Sequence, residues 1–219
     1  MKILILFGEP GTGKSTVINL LLDNPLTSIA VFSIRKYADY IIGTRKNSEL
    51  SDCIEAERKS KGSLSGDNIN CLVDIFFDEN KEAYQWLIFE NFPLSHKQLI
   101  HFLSYIDLSS DTIRVIYLKG EHTLLEKRIR ERLVCSQCDQ KQMVEPSFSG
   151  LTYCPKCGAL LQRRVTYESD NIERINNYEN KIQAIIKQLD FLPIYIDVNN
   201  LTKNELYANV CKIMELKNG

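Results

Sequence analysis

The residues with the clearest chemistry stand near the start of the chain, in the segment GEPGTGKST. Its first eight letters satisfy the pattern G-x-x-x-x-G-K-[ST], between an apolar run typical of a strand and an apolar-periodic run typical of a helix. The glycines let main-chain N–H groups surround phosphate oxygens, and the following helix adds a favourable dipole. Lys14 is expected to reach the β- and γ-phosphates, and Ser15 to offer its hydroxyl to Mg²⁺. The pattern in this context favours a nucleoside triphosphate site over a plain glycine-rich turn.

The whole segment is assigned to this site. The residues expected to contact the nucleotide are Gly8, Glu9, Pro10, Gly11, Thr12, Gly13, Lys14, Ser15 and Thr16. A second magnesium-positioning group is Glu90, which ends the apolar run Leu87-Ile88-Phe89. A strand-end glutamate is often only a solvated residue or a helix cap, but beside a phosphate loop it is within reach of a water-mediated contact with Mg²⁺.

Two C-x-x-C pairs, with fifteen residues between them, predict a metal site. Their cysteines are Cys135, Cys138, Cys154 and Cys157. This spacing is typical of a structural zinc site in which each pair forms a tight turn around the ion. The alternatives are two redox dithiols or coincidence, but a thioredoxin-like dithiol would occur once, at the start of a helix. Four thiolates leave no open coordination position, so the zinc ion would be structural.

Arginines stand at both ends of this cysteine-rich lobe. Between Arg128 and Arg164 there are seven basic and three acidic residues, and the arginines cluster where the lobe must join the rest of the chain. A solvated basic surface would explain any one of them. Clusters at both ends of a segment that follows a phosphate loop favour a clamp for phosphate groups instead.

The elements that position these residues alternate in type. Apolar runs typical of buried strands occur at 2–7, 29–32, 86–89, 113–118 and 193–198. Charged amphipathic segments typical of helices separate them, at 17–22, 37–42, 52–60, 67–77, 124–132 and 171–189. This alternation predicts an α/β fold with a parallel sheet that is covered by helices on both faces.

Composition excludes several classes of protein. The 219 residues carry 27 basic and 28 acidic side chains, so a general nucleic-acid-binding surface is not favoured. No run approaches the roughly 18 to 20 apolar residues that span a bilayer, and the apolar start is too short for a signal peptide. Seven cysteines in such a chain argue against a disulfide framework and for metal or free thiols. We therefore expect a cytoplasmic protein that binds neither membrane nor nucleic acid.

Together these motifs resemble the adenylate kinase family of nucleoside monophosphate kinases, in its zinc-containing long-lid form. The resemblance spans nearly the whole chain. The motifs on which the resemblance rests are, in chain order, Gly8 to Thr16, Glu90-Asn91-Phe92-Pro93 with Gln98, Arg128-Ile129-Arg130-Glu131-Arg132, the two cysteine pairs and Arg174-Ile175-Asn176-Asn177-Tyr178.

The resemblance implies a P-loop NTPase-type core of five parallel strands, made of residues 1–32, 79–132 and 165–219. It also implies a helical insertion at 33–78 that binds the nucleoside monophosphate, and a mobile zinc-binding lid at 133–164. Members of the family move the γ-phosphoryl of ATP to a nucleoside monophosphate with Mg²⁺. The catalytic residues implied are Lys14, Arg128, Arg132, Arg163, Arg164 and Arg174, with Arg128 also at the donor nucleotide.

Departures from the family pattern fall mostly on the acceptor side. Where the family has D-G-F-P-R, this chain has Glu90-Asn91-Phe92-Pro93-Leu94, so an arginine that holds the acceptor phosphate is missing. The family's S-T-G-D-x-x-R is also missing. The candidate acceptor-binding residues are Arg35, Arg45 and Gln98.

Three hypotheses follow from the sequence. The leading one is a monomeric, ATP- and Mg²⁺-dependent nucleoside monophosphate kinase. The second is a kinase with a different small-molecule acceptor, which the loss of the arginine at Leu94 motivates. The third is a nucleotide-binding module whose zinc lobe contacts a partner.

Overall fold

The computed structural model describes residues 1–135, 137, 139–144, 153–154, 157–163 and 168–216. At residue 61 and at residues 139–144 it describes the backbone alone. Two of the predicted site residues, Cys138 and Arg164, therefore lie outside the described residues.

Five strands form one parallel sheet. They are β1 (Lys2–Gly8), β2 (Ile29–Phe32), β3 (Trp86–Glu90), β4 (Thr112–Lys119) and β8 (Ile194–Asp197). Their order across the sheet is β2-β3-β1-β4-β8, so β1 is central. Residues 3–7 of β1 are fully buried, which explains why its sequence is continuously apolar rather than alternating. Each predicted strand is confirmed, to within one residue at either end.

Helices cover both faces of this sheet, as the alternating pattern predicts. They are α1 (Lys14–Leu22), α2 (Ile34–Thr44), α3 (Glu49–Lys61), α4 (Gly66–Asn80), α5 (His96–Leu103), α6 (His122–Arg130), α7 (Glu168–Ile186) and α8 (Lys203–Ile213). One apolar layer joins the sheet to α2, α3, α4 and α5, the other joins it to α1, α6 and α8, and α7 contributes to both. Of the helices that the structure describes, none has the length and apolar character that crossing a membrane requires.

Between β2 and β3 the chain is helical throughout, in α2, α3 and α4. In α4 the buried residues Ile69, Leu72, Val73, Phe76 and Phe77 recur at helical spacing, and so form one apolar face against the sheet. Serine side chains begin α3 and α4 by accepting main-chain N–H bonds. The insertion boundary predicted at residue 78 falls inside α4, which continues to Asn80.

The cysteine-rich segment contains a separate small sheet. Its strands are β5 (Leu133–Cys135), β6 (Asp139–Val144) and β7 (Leu161–Arg163), in the antiparallel order β6-β5-β7. The buried core around it consists of Cys135, Cys154 and Leu161 in the described residues. A core this small supplies little hydrophobic stabilisation, so a cross-link such as a metal ion is the kind of support that it needs.

Candidate functional site

The phosphate loop joins the central strand β1 to α1. Gly11 and Gly13 have φ angles of 98° and 93°, a left-handed conformation that residues with a Cβ atom rarely adopt. A Cβ on Gly11 would also lie 2.8 Å from the main-chain oxygen of Leu125. The hydroxyl of Thr12 donates to the main-chain oxygen of Glu9 at 2.8 Å and closes the turn. The loop therefore has the glycine-dependent shape that its sequence predicts.

Lys14 lies across this loop. Its Nζ donates to the main-chain oxygens of Gly8 and Glu9, at 2.7 and 3.0 Å. Burial lowers the pKa of Lys14 to about 8; nearby Glu90 opposes this shift, and Arg132 adds to it. The ammonium group thus stands among polar main-chain groups at the point where the sequence predicts phosphates.

Ser15 and Glu90 come together as the sequence predicts. The Ser15 hydroxyl donates to Glu90 Oε1 at 3.2 Å. The two meet because β1 and β3 are parallel neighbours, with Leu6 in register with Glu90, and so end at the same edge of the sheet. A hydroxyl and a carboxylate are oxygen donors of the kind that Mg²⁺ takes, and both line one cavity beside the loop.

Asn91 is a residue that the sequence analysis missed. Its side-chain amide donates to the main-chain oxygen of Gly8 at 3.0 Å, and its Oδ1 accepts from the main-chain N–H of Gly8 at 3.0 Å. Its φ of 48° is left-handed, which asparagine tolerates better than most residues. Asn91 therefore fastens the first residue of the phosphate loop. An asparagine in the turn that follows β3 was the sequence feature from which this contact could have been predicted.

The side chain of Glu9 faces into the protein. It is 1% exposed, and Tyr117 donates a hydrogen bond to its Oε1. Burial, together with this bond to Glu9, raises the pKa of Tyr117 well above its ordinary value. Within the described part of the chain, Glu9 Oε2 has no hydrogen-bond partner. The predicted nucleotide contact of Glu9 is thus left to its main chain.

A cavity of about 180 Å³, here called the loop cavity, lies over the phosphate loop. Its lining consists of Pro10, Gly11, Gly13, Lys14, Ser15, Thr16, Glu90, Asn91, Arg132, Arg174 and Tyr178. Two arginines from distant parts of the sequence, Arg132 and Arg174, thus stand in one cavity with Lys14. Three cations around one small space suit a polyanion such as a triphosphate.

A flanking pocket of about 200 Å³ shares Gly11, Gly13, Thr16 and Arg132 with the loop cavity. Arg128 and Arg132 line it together with apolar Val198, Leu201 and Leu206. The Arg128 guanidinium donates to the main-chain oxygen of Val198 at 3.2 Å, and burial lowers its pKa. The pocket combines an apolar wall with a guanidinium, a combination that suits a flat ring next to phosphates.

A larger cavity, here called the helix cavity, opens beside Glu90 and has a volume of about 790 Å³. It is lined by Ser33, Ile34, Arg35, Ala38, Arg58, Gly62, Ser63, Leu64, Ile69, Glu90, Asn91, Leu94, Ser95, Gln98, Tyr178 and Lys181. The predicted residues Arg35 and Gln98 are among them. Gln98 is 8% exposed, and its Oε1 accepts from the main-chain N–H of Leu94 at 2.8 Å.

Two further cations line the helix cavity that the sequence analysis missed, Arg58 and Lys181. Arg58, on α3, makes an ion pair with Asp39 of α2. Lys181, on α7, is exposed. Helical spacing was an available signal for Lys181, because it stands three residues after Tyr178 and seven after Arg174.

Two predicted residues stand elsewhere. Arg45 follows the end of α2 and pairs with Glu79 at 2.6 Å, outside the lining of the helix cavity. The physical reason is length, because Arg35 stands at the start of α2 and Arg45 just after its end, which separates them by roughly 15 Å along the helix. Arg163 is exposed on β7, in register with Leu133, and lines neither the loop cavity nor the helix cavity.

The cysteine cluster is formed in the described residues by Cys135, Cys154 and Cys157, whose Sγ atoms all lie within 4.8 Å of one another. The Sγ atoms of Cys135 and Cys157 are 3.5 Å apart, close to the roughly 3.8 Å between thiolates around a tetrahedral zinc ion. The main-chain N–H of Gln137 points to Cys135 Sγ at 3.4 Å. Gly158, with a φ of 71°, makes the turn after the second pair. This donor set fits zinc.

Comparison with known proteins gives one consistent answer. No protein-family model matches the chain. Curated relatives include the adenylate kinase of Ureaplasma parvum serovar 3, 27% identical over 217 residues, or 96% of each chain. The adenylate kinase of Mesoplasma florum is 27% identical over 94% of this chain and 97% of its own.

A more distant organism gives a similar match. The adenylate kinase of Pyrococcus abyssi is 29% identical over 209 residues, which cover 91% of this chain and 88% of its own. The parallel five-stranded sheet and the phosphate loop at its central strand agree with these matches. The resemblance to the adenylate kinase family that the motifs indicate is therefore confirmed, and it extends over nearly the whole chain.

Proposed function

We propose that this protein is an ATP- and Mg²⁺-dependent nucleoside monophosphate kinase. The observation that carries the proposal is the meeting of two cavities at Glu90, Asn91 and Tyr178, which line both. The loop cavity would hold the triphosphate of the donor, with its base in the flanking pocket. The helix cavity would hold the acceptor, so that the two phosphates meet at the shared residues.

Transfer of a phosphoryl group needs mainly positioning and neutralisation of charge. Lys14 would bind the β- and γ-phosphates once it leaves the main-chain oxygens of Gly8 and Glu9. Arg132 and Arg174, which line the loop cavity with it, would balance the charge of the migrating group. Ser15 and Glu90 would hold the magnesium ion that accompanies ATP, and that ion would screen the phosphate charges when bound.

The helix cavity would be the acceptor site of the insertion that we place at residues 33–78. Gln98 offers an amide whose Oε1 is already held by Leu94 N–H, so its NH₂ group is the part left to bind a base. Arg35 would contribute positive charge from the start of α2. Arg128, Arg163 and Arg164 would complete the phosphate clamp when the lid at residues 133–164 closes over both substrates.

Formation of ADP from ATP tests this proposal. A coupled assay with Mg²⁺ and with AMP, CMP, UMP, GMP, dAMP or dTMP should show turnover that depends on one or more of these acceptors. Turnover that occurs only with non-nucleotide acceptors would favour a kinase of another specificity. ATP binding without turnover under all these conditions would contradict a kinase function altogether.

We propose that zinc stabilises the cysteine-rich lobe. Cys135, Cys154 and Cys157 would hold the ion with Cys138 as the fourth ligand, and because four thiolates fill the coordination sphere the ion would take no part in the reaction. Elemental analysis should find about one zinc ion per chain. The variant Cys154→Ser should lose it and unfold at a lower temperature.

Cys71→Ser is the matched control, because Cys71 is exposed and lies outside the cluster. This variant should keep both its zinc and its thermal midpoint. Substitution of Co²⁺ into the unmodified protein gives a check that needs no variant. Absorption bands of thiolate-bound Co²⁺ are expected, and their absence would contradict the zinc site.

A further inference from the structure

α7 connects the two cavities. Arg174 lines the loop cavity, Tyr178 lines both cavities, and Lys181 lines the helix cavity. These residues are four and three positions apart, so they stand on one face of the helix. From Arg174 to Lys181 the helix rises about 10 Å. A single helix face therefore presents one cation to each side of the junction.

The cations that line the helix cavity differ in whether an ion pair already neutralises them. Of its three cations, Arg58 is already paired with Asp39. In the part of the chain that the structure describes, Arg35 and Lys181 make no ion pair. The one acidic group in the lining, Glu90, accepts a hydrogen bond from Ser15 across the junction. An anion in the helix cavity would therefore meet uncommitted positive charge at Arg35 and Lys181.

Arg35 and Lys181 approach the junction of the two cavities from different elements of the fold. Arg35 follows β2, and β3 lies between β2 and the central strand β1 that carries the phosphate loop. The end of β2 is in register with the end of β3, Phe32 with Phe89, so Arg35 approaches the junction from the β2 side, about one strand spacing from β3. Lys181 stands less than one helical turn from Tyr178, which is itself at the junction. Lys181 is therefore a cation without an ion pair among the described residues that the fold places beside the junction on its α7 side. Leu94, which replaces an arginine of the family pattern, lines the same cavity without charge.

We infer that Lys181 is an acceptor-binding residue that contacts the phosphate of the acceptor, in a cavity where Leu94 stands in place of the arginine of the family pattern. The inference rests on the proposed function. A lysine ammonium group suits this role because it is a compact point charge on a flexible stem. Its exposure lets the stem move toward the phosphate when the acceptor enters.

Equilibrium binding tests the inference without requiring turnover. AMP, CMP, GMP, UMP, dAMP and dTMP are titrated into the unmodified protein and into Lys181→Met, alongside the six matching nucleosides. For each monophosphate that the unmodified protein binds, Lys181→Met should weaken binding about tenfold, as expected for loss of one charge-assisted hydrogen bond. Nucleoside binding should change less than about twofold, because the lost interaction is with phosphate.

Two variants control for the substitution itself. Lys181→Arg keeps the charge and should restore most of the monophosphate affinity. Lys187→Met removes an exposed lysine just beyond α7 that lines none of the three cavities, so it should bind as the unmodified protein does. Equal thermal midpoints for the two methionine variants would show that the fold is intact.

The outcomes separate the two claims. If the unmodified protein binds none of the six monophosphates, both the proposed function and this inference fail. If it binds a monophosphate and Lys181→Met binds it equally well, the inference alone fails. An equal loss for monophosphate and nucleoside would also overturn it, since Lys181 would then contact the base or the ribose.

Discussion

The loop cavity and the helix cavity share three residues but are built in different ways. The loop cavity depends on main-chain geometry, with left-handed glycines and a buried lysine held by carbonyl oxygens at the end of a central strand. The helix cavity depends on side chains from five helices, with its three cations on α2, α3 and α7. The first is fixed by the sheet, whereas the second depends on how the helices are placed.

This difference decides how each half should respond to change. A site made of main-chain groups is altered by residues that set the backbone, and one substitution there affects every phosphate contact together. A site made of side chains loses one contact at a time. Three experiments test this division between the two cavities.

The largest effect is expected from Lys14→Met. Removing the ammonium group from the loop cavity should lower kcat/KM for ATP by about 10² to 10³, the range for loss of one preorganised charge-stabilising group. KM for the acceptor should change less than about threefold, because Lys14 does not line the helix cavity. Steady-state kinetics in both substrates give these values.

The control for this variant is Lys97→Met, which removes an exposed lysine of α5 that lines none of the three cavities. It should keep the activity of the unmodified protein. A large rise in acceptor KM for Lys14→Met, with ATP binding unaffected, would contradict the division between the two halves.

The affinity for ATP should depend on pH through Lys14. Because burial lowers its pKa to about 8, the nucleotide-free protein loses this proton at lower pH than the unfolded chain, whose lysine has an ordinary pKa of 10.5. The phosphates favour the charged lysine, so above pH 8 binding must take up a proton. Affinity should therefore be constant just below pH 8 and fall by up to about tenfold per pH unit above it.

Calorimetry in buffers of different ionisation enthalpy measures this proton uptake directly. About one proton should be taken up per ATP at pH 9, and Lys14→Met should take up none. The acceptor, bound alone, should show no such linkage to Lys14. Proton uptake that survives in Lys14→Met would assign the titration to another group and contradict the prediction.

The smallest effect is expected from Asn91→Gly. Glycine keeps the left-handed backbone but removes both side-chain hydrogen bonds to Gly8, so unfolding should become easier by about 1 to 3 kcal/mol. KM for ATP should rise a few-fold, while acceptor KM should stay within about twofold. Urea denaturation and steady-state kinetics measure the two effects.

Asn47→Gly is the matched control, because Asn47 also has a left-handed φ, of 62°. It is exposed, and its side chain makes no hydrogen bond among the residues that the structure describes. Its stability should change by less than about 0.5 kcal/mol. If Asn91→Gly raises the KM for the acceptor rather than the KM for ATP, then Asn91 acts on the helix cavity. That result would contradict the division between the two cavities.

The sequence predicts the loop cavity well because the motifs that form it are local in the chain. Apolar runs identify the five strands, and their parallel orientation follows from their alternation with helices. Once β1 and β3 are parallel neighbours, Ser15 and Glu90 must end at the same edge of the sheet. The cysteine spacing likewise predicts three thiols that the structure brings together, since each pair is close in sequence.

The helix cavity is less predictable, because a charged residue in the sequence does not show which side of its helix faces the cavity. Arg45 is as basic as Arg35, yet the length of α2 carries it away to Glu79. Arg58 and Lys181 face the helix cavity only because of how α3 and α7 pack. Asn91 was missed because its side-chain amide binds the main chain of Gly8, 83 residues away, a contact that no local sequence pattern shows.

The most direct test of the account is a crystal structure with a bisubstrate dinucleotide, in which two nucleosides are joined through their phosphates. We predict phosphates against the main chain of residues 11–15, one base in the flanking pocket beside Arg128, and the other nucleoside in the helix cavity with Lys181 at its phosphate. A ligand whose second nucleoside lies outside the helix cavity, or with Lys181 directed away from the phosphates, would contradict it.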